Sequence, residues 1–160
     1  MPAMPNGEIL TGAERRFLEG ERRAILATTA PDGRARLVPV CFALTGQVDR
    51  LGRPVIYTPI DEKPKRSLDP HAVARVSDLF VLPEVTLIVD RWDEDWGRLA
   101  WLRLYGSGEL LEPQAHEREE HAAAVVALRA RYPQYATHDL AARPIIRIGI
   151  QRVVSWGEIE

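Results

Sequence analysis

The chain has 160 residues and a formal net charge of −2, with 46% hydrophobic and 28% charged residues, the proportions of one ordinary soluble globular domain. That charge gives no general attraction to nucleic acid, no stretch combines a basic run with interleaved aromatics, and no apolar run approaches the roughly 20 residues needed to span a bilayer. The single cysteine, Cys41, cannot form an internal bridge, and with no secretory signal the expected setting is a reducing cytoplasm.

Residues Met1–Leu10 are rich in Pro and Gly and read as a loose, flexible tail, leaving residues 11–160 as one domain. Thr11-Gly12-Ala13-Glu14 has the spacing of a capping box, which predicts a short helix over Gly12–Glu19. Arg23–Ala30 is rich in small and β-branched residues and runs into Pro31-Asp32-Gly33-Arg34, where Pro sets a turn and Gly accepts the positive φ that closes a hairpin. The return strand is expected over Arg34–Leu44, interrupted by Pro39. Proline cannot donate to a ladder, so this position belongs at an edge, a bulge or a ligand contact. Gln47–Pro54 reads as a loop, Val55–Thr58 as a short strand and Pro59–Arg66 as a second loop. Asp69–Phe80 reads as a helix with Pro70 in its first turn and Val73, Val76 and Phe80 at helical spacing.

Val85–Val89 is a short buried strand, and Asp90–Arg98 a charged, aromatic loop. Trp101–Leu111 alternates, with Leu102, Leu104 and Leu110 on one face and Arg103, Tyr105, Ser107 and Glu109 on the other. Its Gly106 and Gly108 suit a close backbone approach or a bend. Gln114–Arg131 is the clearest helix: Glu117, Glu119 and Glu120 begin it, and Arg129 and Arg131 end it, which complements the macrodipole. Ala122, Val125, Val126 and Arg129 form its expected one-sided stripe, and Pro133 stops it. Ile145–Val154 alternates around Ile146, Ile148 and Ile150 and fits a closing strand. About six hairpin-linked strands with few helices between them argue against a doubly wound parallel sheet. The fold class is therefore mainly β with peripheral helices (α+β), an antiparallel barrel that leaves few exposed edges.

The strongest anion-site candidate is the loop Asp61–Arg66, where Lys63, Lys65 and Arg66 lie within four residues and can hold phosphate or carboxylate by charge-assisted hydrogen bonds. Pro64 stiffens the loop. The competing reading is a solvated basic surface loop partly neutralised by Asp61 and Glu62. Trp92, Trp96 and Trp101 cluster around a polar segment; indoles there can stack on a planar ring or cover a dimer contact. His116 and His121 are five apart, which does not suit one helix face holding a metal, and His71 and His138 are isolated, so no metal site is expected. Cys41 reads as a small core residue rather than a nucleophile. There is no Gly-x-Ser-x-Gly elbow, Walker loop or dinucleotide fingerprint.

Five blocks follow one another in order: Arg22–Thr29 with Asp32-Gly33-Arg34; Val38-Pro39-Val40-Cys41-Phe42; Tyr57–Lys65; Asp93-Glu94-Asp95-Trp96 through Trp101-Leu102-Arg103; and Val153–Gly157. With these blocks the chain resembles, from about Phe17 to Gly157, the pyridoxamine-phosphate-oxidase-like split-barrel proteins, and within them the actinobacterial deazaflavin-dependent subfamily. The resemblance implies an antiparallel split β-barrel of the FMN-binding type, a homodimer with the cofactor groove between two protomers. It implies ring contacts from Val38, Pro39 and Val40, and phosphate binding by Thr58, Lys63 and Lys65. Lys63, Lys65 and Arg66 together carry more charge than one phosphate monoester needs, which favours deazaflavin coenzyme F-420, with its phosphodiester and oligoglutamate tail, over FMN. Trp96 is the indole expected at the cofactor. The function expected is hydride transfer between the deazaflavin and a small organic substrate. The alternatives are an FMN-dependent oxidase or reductase of the same fold, or a non-catalytic carrier of flavin, deazaflavin or haem. Tyr57 and Asp95 are the candidates for proton delivery, and no acid–base pair stands out.

Overall fold

A computed structural model of the chain describes residues 8–61 and 69–160. Helix α1 (Gly12–Gly20) leads into strands β1 (Ala24–Thr29), β2 (Ala35–Val40), β3 (Ala43–Val48) and β4 (Pro54–Pro59). Helix α2 (Ala74–Val81), strands β5 (Glu84–Arg91) and β6 (Ala100–Leu111), helix α3 (Arg118–Arg131) and strand β7 (Ile145–Gly157) complete it. The seven strands form one antiparallel sheet in the order β2-β1-β5-β6-β7-β4-β3.

That order places β2 and β3 at opposite edges, yet only Cys41 and Phe42 separate them in the chain. Three Cα–Cα steps cover at most about 11 Å, so the sheet has to curl until its two edges meet. The result is a split barrel. Its interior is filled by Leu26, Ile56, Leu87, Leu102, Leu104, Ile146 and Ile148, with Phe17 and Leu18 of α1 and Val76 and Leu79 of α2 closing over them. A second cluster lies outside the barrel wall. There Ala124, Val125 and Leu128 of α3 pack on Val55 and Tyr57 of β4 and on Ile145. Strand β4 is thus buried on both faces, which is why Pro54–Ile60 is apolar without alternation.

The strand expected over Arg34–Leu44 is two strands, and the break falls at Cys41-Phe42 rather than at Pro39. Pro39 stands inside β2 opposite Ile25, on an edge strand, where a missing donor costs the ladder least. At Phe42 the backbone is held by a side chain: its N–H donates to the Tyr132 hydroxyl at 3.1 Å, and its carbonyl lies 3.1 Å from the same oxygen. Among the described residues the strands accordingly number seven.

Two helix faces differ from the expected stripes. In α3 the buried positions are His121, Ala124, Val125 and Leu128, while Val126 is 69% exposed. The stripe is turned because His121 is admitted to the core, its Nε2 hydrogen-bonding the Arg143 carbonyl at 2.6 Å. In α2 the helix starts at Ala74, after a short 3₁₀ turn at Pro70–Ala72, and Phe80 is 73% exposed. Asp78 is buried in its place, because one carboxylate oxygen accepts from both Thr28 Oγ1 and Arg36 Nε at 2.7 Å. The expected tail also ends early, since Leu10 is buried in the barrel core with Ile9 packed against it.

Gly106 marks a true close approach. A Cβ there would stand 2.5 Å from the Gly149 carbonyl oxygen, at the register shift between β6 and β7. No helix among the described residues is long and apolar enough to cross a membrane.

Candidate functional site

The C-terminal end of β4 gathers three polar groups inside an otherwise apolar wall. Alternation places Val55 and Tyr57 against α3 and sends Ile56, Thr58 and Ile60 toward the barrel interior. Thr58 is 0% exposed, and its Oγ1 has no hydrogen-bond partner among the described residues. A hydroxyl buried in that way costs about 1–3 kcal/mol. Arg75, from the first turn of α2, reaches back to the Pro59 carbonyl with Nη2 at 3.4 Å. Its Nε is also buried with no partner among the described residues. Burial pulls the Arg75 guanidinium below its ordinary value, opposed by the charge of Asp61. Asp61 is itself buried and accepts a 2.6 Å hydrogen bond from the Tyr135 hydroxyl.

Two donors without a partner among the described residues, Thr58 Oγ1 and the cationic Arg75 Nε, therefore lie where the chain leaves β4 for the basic loop. A hydroxyl beside a guanidinium is the donor set a phosphate accepts from. The residues Lys63, Lys65 and Arg66 named from the sequence lie outside the described residues. Arg75 was missed by sequence reasoning. Its signal was a cation next to the half-buried Val73 and the buried Val76 and Leu79.

Strand β2 does not present Val38, Pro39 and Val40 to one surface. Val40 belongs to the barrel core and Val38 packs against it, while Pro39 is exposed on the opposite face beside Leu37. A flat ring over this stretch would meet the Pro39 side chain and the backbone, not the two valines. Pro39 heads a row that runs across five strands, Pro39–Ile25–Ile88–Arg103–Val154, followed by Leu37–Ala27–Thr86–Tyr105–Arg152. On this outer face the Arg103 guanidinium lies 5.0 Å from the Trp101 ring and 5.7 Å from Tyr105, and Arg152 lies 4.4 Å from Tyr105. Trp101 stacks on Trp156 at 6.4 Å and 18°.

Trp96 is 71% exposed, in a turn that Asp95 caps by accepting from Gly97 N–H at 3.0 Å. This turn enters β6 at Ala100. Thr58 pairs with Ile146, which pairs with Leu110 at the far end of β6, about 33 Å away along the strand. One protomer does not bring Trp96 to Thr58. Neither proton-delivery candidate is poised for the task. The Tyr57 hydroxyl donates to Glu120 at 2.7 Å, and burial followed by that carboxylate pushes it well above the ordinary phenol value. Asp95 is engaged as the cap of its own turn.

No family model matches the sequence, and no curated protein is similar to it. Solved structures do match in fold. A conserved hypothetical protein from Mycobacterium tuberculosis aligns with a TM-score of 0.67 and 22% identity over 92% of this chain and 85% of its own. A FAD-binding protein from Mesorhizobium loti aligns at 0.62 and 20% identity over 91% and 94%. HutZ, the haem storage protein from Vibrio cholerae, aligns at 0.61 and 11% identity over 89% and 90%. At such identities the likeness is one of architecture. The fold is an antiparallel split barrel, with three helices set around a seven-stranded sheet among the described residues.

Proposed function

We propose that this protein binds a phosphorylated, flavin-type redox cofactor, with the phosphate at the end of β4 and the ring over the Pro39 stretch. The observation that carries this reading is Thr58, a wholly buried hydroxyl with no hydrogen-bond partner among the described residues, one residue before the Pro59 carbonyl that Arg75 of α2 reaches. Lys63, Lys65 and Arg66 follow five to eight residues after Thr58 in the chain and add the charge that a phosphodiester with a polyanionic tail requires, which favours deazaflavin coenzyme F-420 over FMN. The cofactor supplies a two-electron hydride carrier. The chain's own groups orient it: Thr58 and Arg75 fix the phosphate, Tyr135 holds Asp61 away from it, and the Pro39 backbone supports the ring. No described side chain is placed as an acid or base, so the protein's part in an oxidoreductase reaction is binding, orientation and exclusion of water.

The outer face of β2, β1, β5, β6 and β7 suits a two-fold contact, the commonest closed assembly. Its rings and half-exposed Ile25, Ile88 and Val154 offer the apolar area an interface needs. A homodimer with the groove between protomers follows from this reading, as does a reducing, cytoplasmic setting for Cys41. The haem storage protein of the same fold supplies the competing carrier reading.

Tryptophan fluorescence titrated with F-420, FMN and haem separates these readings. The Thr58→Val variant should weaken F-420 or FMN about tenfold, the effect of one lost hydrogen bond to a charged group, and leave phosphate-free riboflavin unchanged. Failure of every ring cofactor to bind at micromolar concentration would overturn the proposal.

A further inference from the structure

A pocket of about 430 Å³ opens at the β2–β3 link, lined by Arg22, Cys41, Tyr132, Gln134, Tyr135 and His138. Its size is in the range of small-molecule sites. Tyr132 holds the Phe42 backbone and Tyr135 bonds Asp61, so both rings are fixed in place. The wall is aromatic: Tyr132 meets Tyr135 edge to face at 5.6 Å, and Tyr135 meets His138 the same way at 5.3 Å. Successive ring edges and faces of this kind favour a flat aromatic guest, which can extend the same edge-to-face or offset pattern. The cation is Arg22, exposed, with its guanidinium 4.6 Å from the Tyr132 ring and Nη2 on the Arg131 carbonyl at 2.7 Å. It presents a positive charge and further donors at the mouth of the pocket. Asp61 is buried and accepts the Tyr135 hydroxyl hydrogen bond, while Glu19 shares a neighbouring groove with Arg22.

We propose that this pocket binds a planar aromatic compound carrying one carboxylate or comparable anionic group, the ring against Tyr132 and Tyr135 and the anion at Arg22. Cys41 stands two residues beyond Pro39, so a guest here lies next to the stretch assigned to the cofactor ring. Its role as substrate rests on that assignment, whereas binding itself does not.

Cys41 is the only cysteine in the chain and forms part of the wall, so it reports occupancy directly. Whole-chain mass spectrometry of iodoacetamide-treated protein would follow its alkylation with and without 2-naphthoate, with neutral 2-naphthamide as control. At ten times its Kd a ligand leaves about one site in eleven open, so 2-naphthoate should slow alkylation about tenfold. The Arg22→Gln variant should weaken 2-naphthoate about tenfold and leave 2-naphthamide unchanged, while Arg22→Lys retains the charge and most of the affinity. Equal protection by the acid and the amide, no protection by either, or protection by FMN alone would overturn the inference. Cofactor titration on the same samples keeps the two claims apart: lost naphthoate protection with intact cofactor binding removes this site only, and the reverse removes the cofactor reading only.

Discussion

Tyr135 donates its hydroxyl to Asp61 at 2.6 Å, tying the segment after α3 to the first residues beyond β4. Burial first, and then the Asp61 hydrogen bond, push the Tyr135 phenol far above its ordinary value, so it stays a proton donor to the carboxylate throughout the working pH range. Replacing Tyr135 by Phe keeps the ring packing and removes that donor from a buried carboxylate. The expected loss is about 1–3 kcal/mol in urea denaturation, together with weaker cofactor binding because Asp61 turns its charge toward the phosphate site. Unchanged stability and affinity would show that the bond positions nothing.

A second buried carboxylate, Asp78, is held by Thr28 and by Arg36 from the edge strand β2. Arg36→Met leaves the buried Asp78 carboxylate with only a hydroxyl donor and should lower stability. The double variant Arg36→Met with Asp78→Leu should recover much of this, since it removes the buried carboxylate together with its partner and leaves no charge unpaired in the core. A double-mutant cycle by chemical denaturation measures it, and simple additivity of the two changes would refute the coupling.

The two faces of α3 separate cleanly by truncation. Leu128→Ala should cost about 2–5 kcal/mol, while Val126→Ala, on the exposed face, should stay within about 0.5 kcal/mol. Thermal unfolding of both variants decides it; a costly Val126 truncation would mean that this face is covered in the assembled protein.

These positions also show what the sequence could and could not disclose. The capping box at Thr11 and Glu14 forms as read, with both reciprocal hydrogen bonds, because it depends only on local spacing. The Ile146, Ile148 and Ile150 strand was legible from period-two alternation for the same reason. The stripe of α3 was not, because His121 becomes buried through a carbonyl contributed by Arg143, 22 residues away. Asp78 likewise enters the core through partners on β1 and β2. At the site, Thr58 was named through resemblance, but its burial and its unpaired state come from the curl of the whole sheet. Arg75 needed α2 to be docked before its reach to Pro59 could be seen. Val38 and Val40 were placed on the ring with Pro39, although alternation alone separates them.

His71 offers a pH test. Its ring lies 2.9 Å from Glu112 and 3.4 Å from Asp69, and chiefly the Glu112 hydrogen bond raises its pKa above the ordinary 6.5. A folded-state value above the unfolded one means that the imidazolium stabilises the native state below about pH 6.5. That stabilisation is lost as pH rises through the folded value. His71→Gln should therefore lower Tm at pH 5.5 and leave it nearly unchanged at pH 9. A Tm difference independent of pH would contradict this. The half-exposed pair keeps the effect small.

Trp96 lies in the turn that enters β6, and Thr58 of β4 is level with the opposite end of that strand within one protomer, so a site that uses both has to draw them from two chains. In a two-fold dimer the groove can take its phosphate end from one protomer and its indole from the other. Mixed dimers test this directly. Thr58→Val and Trp96→Ala each spoil both sites of their homodimer. In a mixed dimer, one groove collects both defects and the other pairs an intact Thr58 with an intact Trp96. Half of the sites in that species should then bind cofactor with the parent affinity, read by fluorescence titration of purified, differently tagged heterodimers. If both residues served the same protomer's groove, neither site of the mixed dimer would reach the parent affinity, and an unimpaired Trp96→Ala homodimer would show that Trp96 serves none.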